Sequence, residues 1–88
     1  MTNKVLIKLI IPEIDETFDM FIPINELVWK IKALIIKSVT DLTGVVLGDP
    51  NEYVFINKDS AKIYGNNEIV FDTDVRNSSE IILLHTKV

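Results

Sequence analysis

The side chains that could do chemistry are few in this sequence, and they do not converge. His85 is the single imidazole. General-base catalysis would need a nucleophile within hydrogen-bond reach and a third group to orient the ring. No cysteine exists, no serine stands near in a base–nucleophile pattern, and His85 reads as a strand-end residue. Asp72, Asp74, Asn77 and Glu80 carry oxygen ligands at spacings that resemble a calcium loop. The run is too short and lacks the central glycine that the loop's sharp turn requires, so turn capping is the better reading. Glu13, Asp15 and Glu16 could pair as general acid and base, but a hairpin tip leaves them solvated. Gly44, Gly48 and Gly65 each fit a turn or helix stop, and no glycine-rich phosphate cradle is present. No catalytic, cofactor or metal site is therefore assigned, and function is expected to lie in binding.

The chain that carries these residues bounds its own possibilities. Eighty-eight residues make one domain, 1–88, with one small core and a narrow stability margin. A hydrophobic fraction of 48% with a mean hydropathy of +0.27 implies that some apolar side chains stay outside that core. The net charge of −4 argues against a nucleic-acid groove, which needs a basic face. Val5–Ile11 is short, interrupted by Lys8 and followed by acids, so it reads as a strand and not a signal peptide. No run approaches the length of a spanning helix, and direct membrane insertion is not expected. With no cysteine, a reducing compartment, the cytoplasm, is the expected location.

Two β-rich runs, Lys4–Ile11 and Thr17–Ile22, flank a Pro-Glu-Ile-Asp-Glu connection and predict a hairpin. Val5, Ile7, Leu9 and Ile11 alternate onto one face, with Leu6 and Ile10 on the other. Phe18, Met20 and Ile22 separate in the same way from Thr17, Asp19 and Phe21. A helix is predicted over about Glu26–Thr40, with Asn25 as N-cap, Ile24 and Trp29 as a hydrophobic staple and Gly44 as its stop. Strands are expected at Tyr53–Ile56, Ala61–Tyr64 and Glu80–Leu84, with turns at Gly48–Asn51 and Gly65–Asn67. One helix covers only one face of such a sheet, so the class is α+β with four to five strands and an open sheet face.

Two surfaces could bind. On the helix, Leu27, Val28, Ile31, Leu34, Ile35, Val39 and Leu42 form the stripe that should meet the sheet. Trp29, Ala33 and Ile36 then fall on the opposite side, rimmed by Lys30, Lys32 and Lys37, a composition suited to an interface hot spot. Burial of Trp29 by the staple or by the Thr43–Glu52 connection is the competing reading. On the open sheet face, Leu6, Ile10, Phe21, Ile82 and Leu84 should cluster, and a patch of that size invites a protein partner or a homodimer.

Hairpin, helix, short strands and the Val75-Arg76-Asn77-Ser78-Ser79-Glu80-Ile81-Ile82-Leu83 ending resemble the ubiquitin superfamily over nearly the whole chain. Val54-Phe55-Ile56-Asn57-Lys58-Asp59 and the Val75…Asn77…Glu80-Ile81-Ile82-Leu83 ending are similar to the YukD/EsaB-like family of bacterial type VII (WXG100) secretion. The resemblance implies a β-grasp fold, with the last strand beside the first and a mixed sheet. It also implies a non-catalytic cytoplasmic adaptor whose partner is a secretion-apparatus component. The long Thr43–Glu52 connection departs from shorter family members. Conjugation would need a Gly-Gly tail, whereas this one reads Leu84-His85-Thr86-Lys87-Val88. The alternative is a self-assembling homodimeric module with no secretion role.

Overall fold

The computed structural model describes residues 3–86. Lys87 and Val88, the end of the tail read for a diglycine, lie outside the described residues, as do Met1 and Thr2. β1 (Lys4–Ile11) and β2 (Glu16–Pro23) form the hairpin, joined by a 3-10 turn at Pro12–Ile14 and by Asp15 in the left-handed conformation. Helix α1 (Val28–Thr43) follows, then β3 (Tyr53–Asn57), β4 (Ile63–Tyr64) and β5 (Glu80–His85). The sheet order is β2-β1-β5-β3-β4, with β1 and β5 parallel and the other pairs antiparallel. This is the expected α+β class, a five-stranded mixed sheet crossed by one helix.

Strand alternation sorts the two faces. Ile7, Leu9 and Ile11 of β1, Tyr53 and Phe55 of β3, and Ile81 and Leu83 of β5 are buried under the helix. They meet Val28, Ile31, Ile35 and Val39 of α1. Leu47 reaches this core from the connection after the helix, and Val70 and Val75 reach it from the one before β5.

The helix begins later than the sequence implies, at Val28 and not Glu26, because its entry is held extended. Leu27 bridges Ile69, and Glu26 accepts the Val70 N–H at 3.4 Å. Asn25 is not the cap; Leu27 holds that place and offers no side-chain hydrogen bond. The free N–H groups of the first turn are taken by backbone instead: Val28 donates to the Glu68 carbonyl at 2.9 Å and Trp29 to the Asn66 carbonyl at 3.2 Å. The Asn66–Val70 segment, for which the sequence implied only a turn at its start, thus does the work of a capping side chain. The helix runs on past Thr40 to Thr43, and Gly44 stops it with φ 75°, donating to the Thr40 carbonyl at 2.8 Å.

The buried arc of α1 is also rotated, by roughly 40° at ~100° per residue, relative to the predicted stripe. Leu34 (45% exposed) lies outside the arc, whereas Leu42 (70%), one residue before the helix end, is exposed although its angle falls within it. Lys32 is buried and Ile36 packs against the core, although both were expected on the outer side. The cause is a backbone group that needs a donor. Tyr53 directs its carbonyl away from β5, since Glu52 accepts the Thr86 N–H and ladder bonds then alternate along the strand. β4 ends at Tyr64, opposite Phe55, and does not reach Tyr53. The Lys32 ammonium fills that gap, donating to the Tyr53 carbonyl at 3.1 Å.

Candidate protein-binding face

The sheet register decides which outward side chains are neighbours. Ile10 of β1 pairs with Ile82 of β5, Ile82 with Ile56 of β3, and Ile56 with Ile63 of β4. Four isoleucines therefore form one row across four strands, about 14 Å long at ~4.8 Å per strand. Leu84 and Val54 pair in the adjacent row, two residues along. Ile63 is 63% exposed and Leu84 40%, whereas Ile10, Ile82 and Ile56 are half-buried.

Leu6 and Phe21 pair with each other, but they do not join this cluster. Between them and the isoleucine row runs a charged one: Asp19 faces Lys8, Lys8 faces Glu80, and Lys58 holds Glu80 at 3.7 Å. Leu6 and Ile10 are thus ~13 Å apart along β1, with Lys8 between. The single patch expected from the sequence is two. The separation follows from β1 itself, whose outer face reads Leu6, Lys8, Ile10.

The helix stripe is weaker than its composition implied. Trp29 is 43% exposed. Ala33 is half-buried and Ile36 belongs to the core margin. The cationic rim is spent locally: Lys30 sits 5.7 Å from the Trp29 ring centroid and 3.8 Å from Glu26, Lys37 is 3.8 Å from Asp41, and Lys32 is buried. Such pairs leave little net charge to attract an acidic partner.

His85 and Glu13, read as unconnected, meet across the end of the sheet. Tyr53 donates its hydroxyl to Glu13 and accepts the Gly48 N–H at 3.0 Å. The His85 ring stands edge-on to Tyr53 at 4.9 Å, with Nε2 3.5 Å from Glu52 and 4.0 Å from Glu13. Burial, then the bond to Glu13, pushes the Tyr53 phenol up to about 12. A second tie joins Asn57 and Asp74 through the Tyr64 hydroxyl. Burial raises the Tyr64 phenol, and its hydrogen bond holds the Asp74 carboxyl below its ordinary value. These groups fasten loops to strands, and the Ser60 side chain joins the second of them through bonds to Tyr64 and Asp74. Among the described residues, no group of three or more His, Asp or Glu side chains could hold a metal ion, and no helix is long and apolar enough to cross a membrane.

Gly48 is part of the first fastening. A β-carbon there would lie 2.1 Å from the Glu52 carboxylate, which accepts the Asp49 N–H at 3.1 Å and closes a capping box with Asp49. Gly48→Ala is expected to displace that carboxylate and lower stability by about 1 kcal/mol. Adding Glu52→Ala should cost little more, because the same contacts are already lost. Urea unfolding of the two single variants and the double variant measures this, and full additivity would show the two residues to be uncoupled.

The fold defines a class. The N-terminal ubiquitin-like domain of the 4931431F19Rik protein superposes with a TM-score of 0.75 at 15% identity, covering 100% of this chain and 80% of that one. The ubiquitin-like domain of Arabidopsis thaliana protein At2g32350 gives 0.72 at 10% identity, covering 99% and 82%. A chain of the toluene 4-monooxygenase HD complex with inhibitor 4-bromobenzoate gives 0.73 at 4% identity, covering 93% and 98%. The architecture is therefore the ubiquitin-like β-grasp. No protein-family model and no curated protein matches the sequence.

Proposed function

We propose that this chain is a non-catalytic, non-conjugating protein-binding module, and that the row Ile10–Ile82–Ile56–Ile63 with Leu84 and Val54 is its principal binding face. The observation that carries this is the register: six apolar side chains are contiguous on the sheet face opposite the helix. Monomers seldom leave contiguous apolar surface of this kind bare. The resemblance to the YukD/EsaB-like family extends the proposal to a cytoplasmic adaptor of a bacterial type VII-like secretion system.

Pull-down from the native cell tests the adaptor role, with wild type and Ile63→Asp run in parallel. Ile63 is exposed, so an aspartate there disturbs the face and spares the core. Wild type is expected to recover a secretion-apparatus component and Ile63→Asp to lose it. Recovery of none by either protein removes the secretion role.

A second copy is the competing occupant of the same face, favoured by its unbroken apolar row. Sedimentation velocity over a concentration series separates the two. Concentration-dependent association that Ile63→Asp abolishes and Phe21→Asp leaves intact assigns the face to a homodimer. A monomer at all concentrations assigns it to another protein.

A further inference from the structure

Arg76, the sole arginine of the sequence, stands in the connection that leads into β5. Backbone carbonyls fix its guanidinium: Nη1 donates to Thr73 at 2.7 Å and to Val75 at 2.8 Å. The main chain of the residue is held as well, since its N–H donates to Ser79 Oγ at 2.8 Å and its carbonyl accepts the Ser79 N–H at 3.0 Å. The acids close by in the chain are turned elsewhere. Asp74 accepts the Tyr64 hydroxyl, and Glu80 pairs with Lys58 at 3.7 Å. Among the described residues no carboxylate forms an ion pair with Arg76, and no acceptor takes the N–H groups of Nε and Nη2. That edge of a guanidinium is the one that grips a carboxylate through two parallel hydrogen bonds.

The same side chain closes one side of a pocket of about 250 Å³ whose other walls are Val5, Ile24, Phe71 and Val75. Both arms of the pocket are anchored. Phe71 donates its N–H to the Ile24 carbonyl at 2.7 Å. Ser78 donates to the Leu6 carbonyl at 2.8 Å and Leu6 to Asn77 Oδ1 at 2.9 Å, which ties the Arg76 loop to β1. Phe71 is 69% exposed although it forms a wall, so its ring keeps apolar surface for an occupant to cover. The volume is below the ~300–1,000 Å³ of pockets for drug-sized ligands and suits a single residue. An aspartate or glutamate side chain would bring a carboxylate with little hydrocarbon to meet these walls, and a phosphate would bring charge that apolar walls cannot solvate. The last residue of a protein carries its carboxylate and its side chain on one carbon, so an apolar C-terminal residue satisfies both parts of the site.

We propose that this pocket binds the C-terminal residue of a partner protein, with the carboxylate on Nε and Nη2 of Arg76 and an apolar side chain between Val5, Ile24 and Phe71. A guanidinium already held by carbonyls loses little freedom on binding, which offsets the weakness of an exposed ion pair. The site lies at the open end of the hairpin, and it neither uses nor requires the isoleucine face.

The test is a heteronuclear NMR titration of the isotope-labelled full chain with the peptide acetyl-Ser-Gly-Leu, its carboxylate free. Saturable shifts are expected at the amides of Ile24, Phe71, Val75 and Arg76. The C-terminal amide of the same peptide should bind at least about tenfold more weakly for want of charge, and acetyl-Ser-Gly-Gly by a similar factor for want of a side chain. Arg76 and Phe71 are both exposed, so Arg76→Gln and Phe71→Ser spare the core, and each should weaken binding at least about tenfold while the rest of the spectrum stays in place. Arg76→Lys should retain only part of the affinity, because an ammonium does not match both carboxylate oxygens. Isocaproate, which is leucine without its amine, should bind more weakly than the peptide, whose chain covers the Phe71 ring. Equal binding of the free acid and the amide overturns the proposal, as does affinity unchanged by Arg76→Gln and Phe71→Ser. Isocaproate binding as tightly as the peptide would make this a site for small apolar acids and overturn the protein partner. Shifts confined to Ile10, Ile56 and Ile82 would overturn it too and leave the isoleucine face in use.

Discussion

Raising the pH through the range in which tyrosine ionises is expected to remove about 2–3 kcal/mol of stability through Tyr53 alone. The unfolded chain loses the phenolic proton near 10.0, whereas in the fold the group is raised to about 12. Below 10 both states hold the proton and the difference is nil. Between 10 and 12 the unfolded state has released a proton that the folded state still binds, so stability falls as the pH rises, and the loss is complete above 12. The physical causes are burial of the ring, 1% exposed, and the hydrogen bond donated to the Glu13 carboxylate, which an ionised phenolate could not make. Against a total stability of ~5–15 kcal/mol for a domain, this is a large fraction. Tyr53→Phe should cost about 1 kcal/mol at neutral pH, for the lost hydroxyl bonds. It should then decline much less on the alkaline side, where Tyr64, whose phenol burial also raises, contributes a smaller loss. Urea unfolding at a series of pH values gives both curves. Parallel decline of wild type and Tyr53→Phe would show that Tyr53 does not govern the transition.

What the sequence disclosed and what it concealed divide along a physical line. The hairpin was legible because alternation of Val5, Ile7, Leu9 and Ile11 is a local property, as was the helix stop at Gly44. The helix start was not, because the groups that satisfy Val28 and Trp29 are the carbonyls of Glu68 and Asn66, about forty residues away, and a carbonyl leaves no mark in a side-chain pattern. The apolar sheet face was half legible: alternation told which residues point outward, but only register tells which are neighbours. Lys8 was in plain view between Leu6 and Ile10, and reading β1 as Leu-Lys-Ile would have shown the patch to be broken. The phase of β3, undecided in the sequence, places Val54 and Ile56 outward and so supplies the middle of the isoleucine row. His85 and Glu13, seventy-two positions apart, could meet only because the hairpin turn and the end of β5 share one edge of the fold.

Lys32 carries the second large effect, and its two ends can be tested apart. Its stem lies under the helix and its ammonium serves a carbonyl that β4 is too short to reach. Lys32→Ala removes both the buried methylenes and the donor, and should cost about 2–4 kcal/mol. Lys32→Met keeps a stem of similar length and removes the charge with the donor. Relief from burying an ammonium then offsets the orphaned Tyr53 carbonyl, and the net cost at neutral pH should be below about 1.5 kcal/mol. The pH dependence distinguishes the variants from wild type. Burial lowers the Lys32 pKa from 10.5, so between its folded value and 10.5 the unfolded chain binds a proton that the fold does not. Wild-type stability therefore gains a rising contribution through that window, opposite in sign to the contribution of Tyr53 above 10, and neither variant can make it. The deficit of Lys32→Met relative to wild type should widen as the pH climbs towards 10.5. A deficit independent of pH would mean that the amine stays protonated in the fold throughout, with its charge solvated in place.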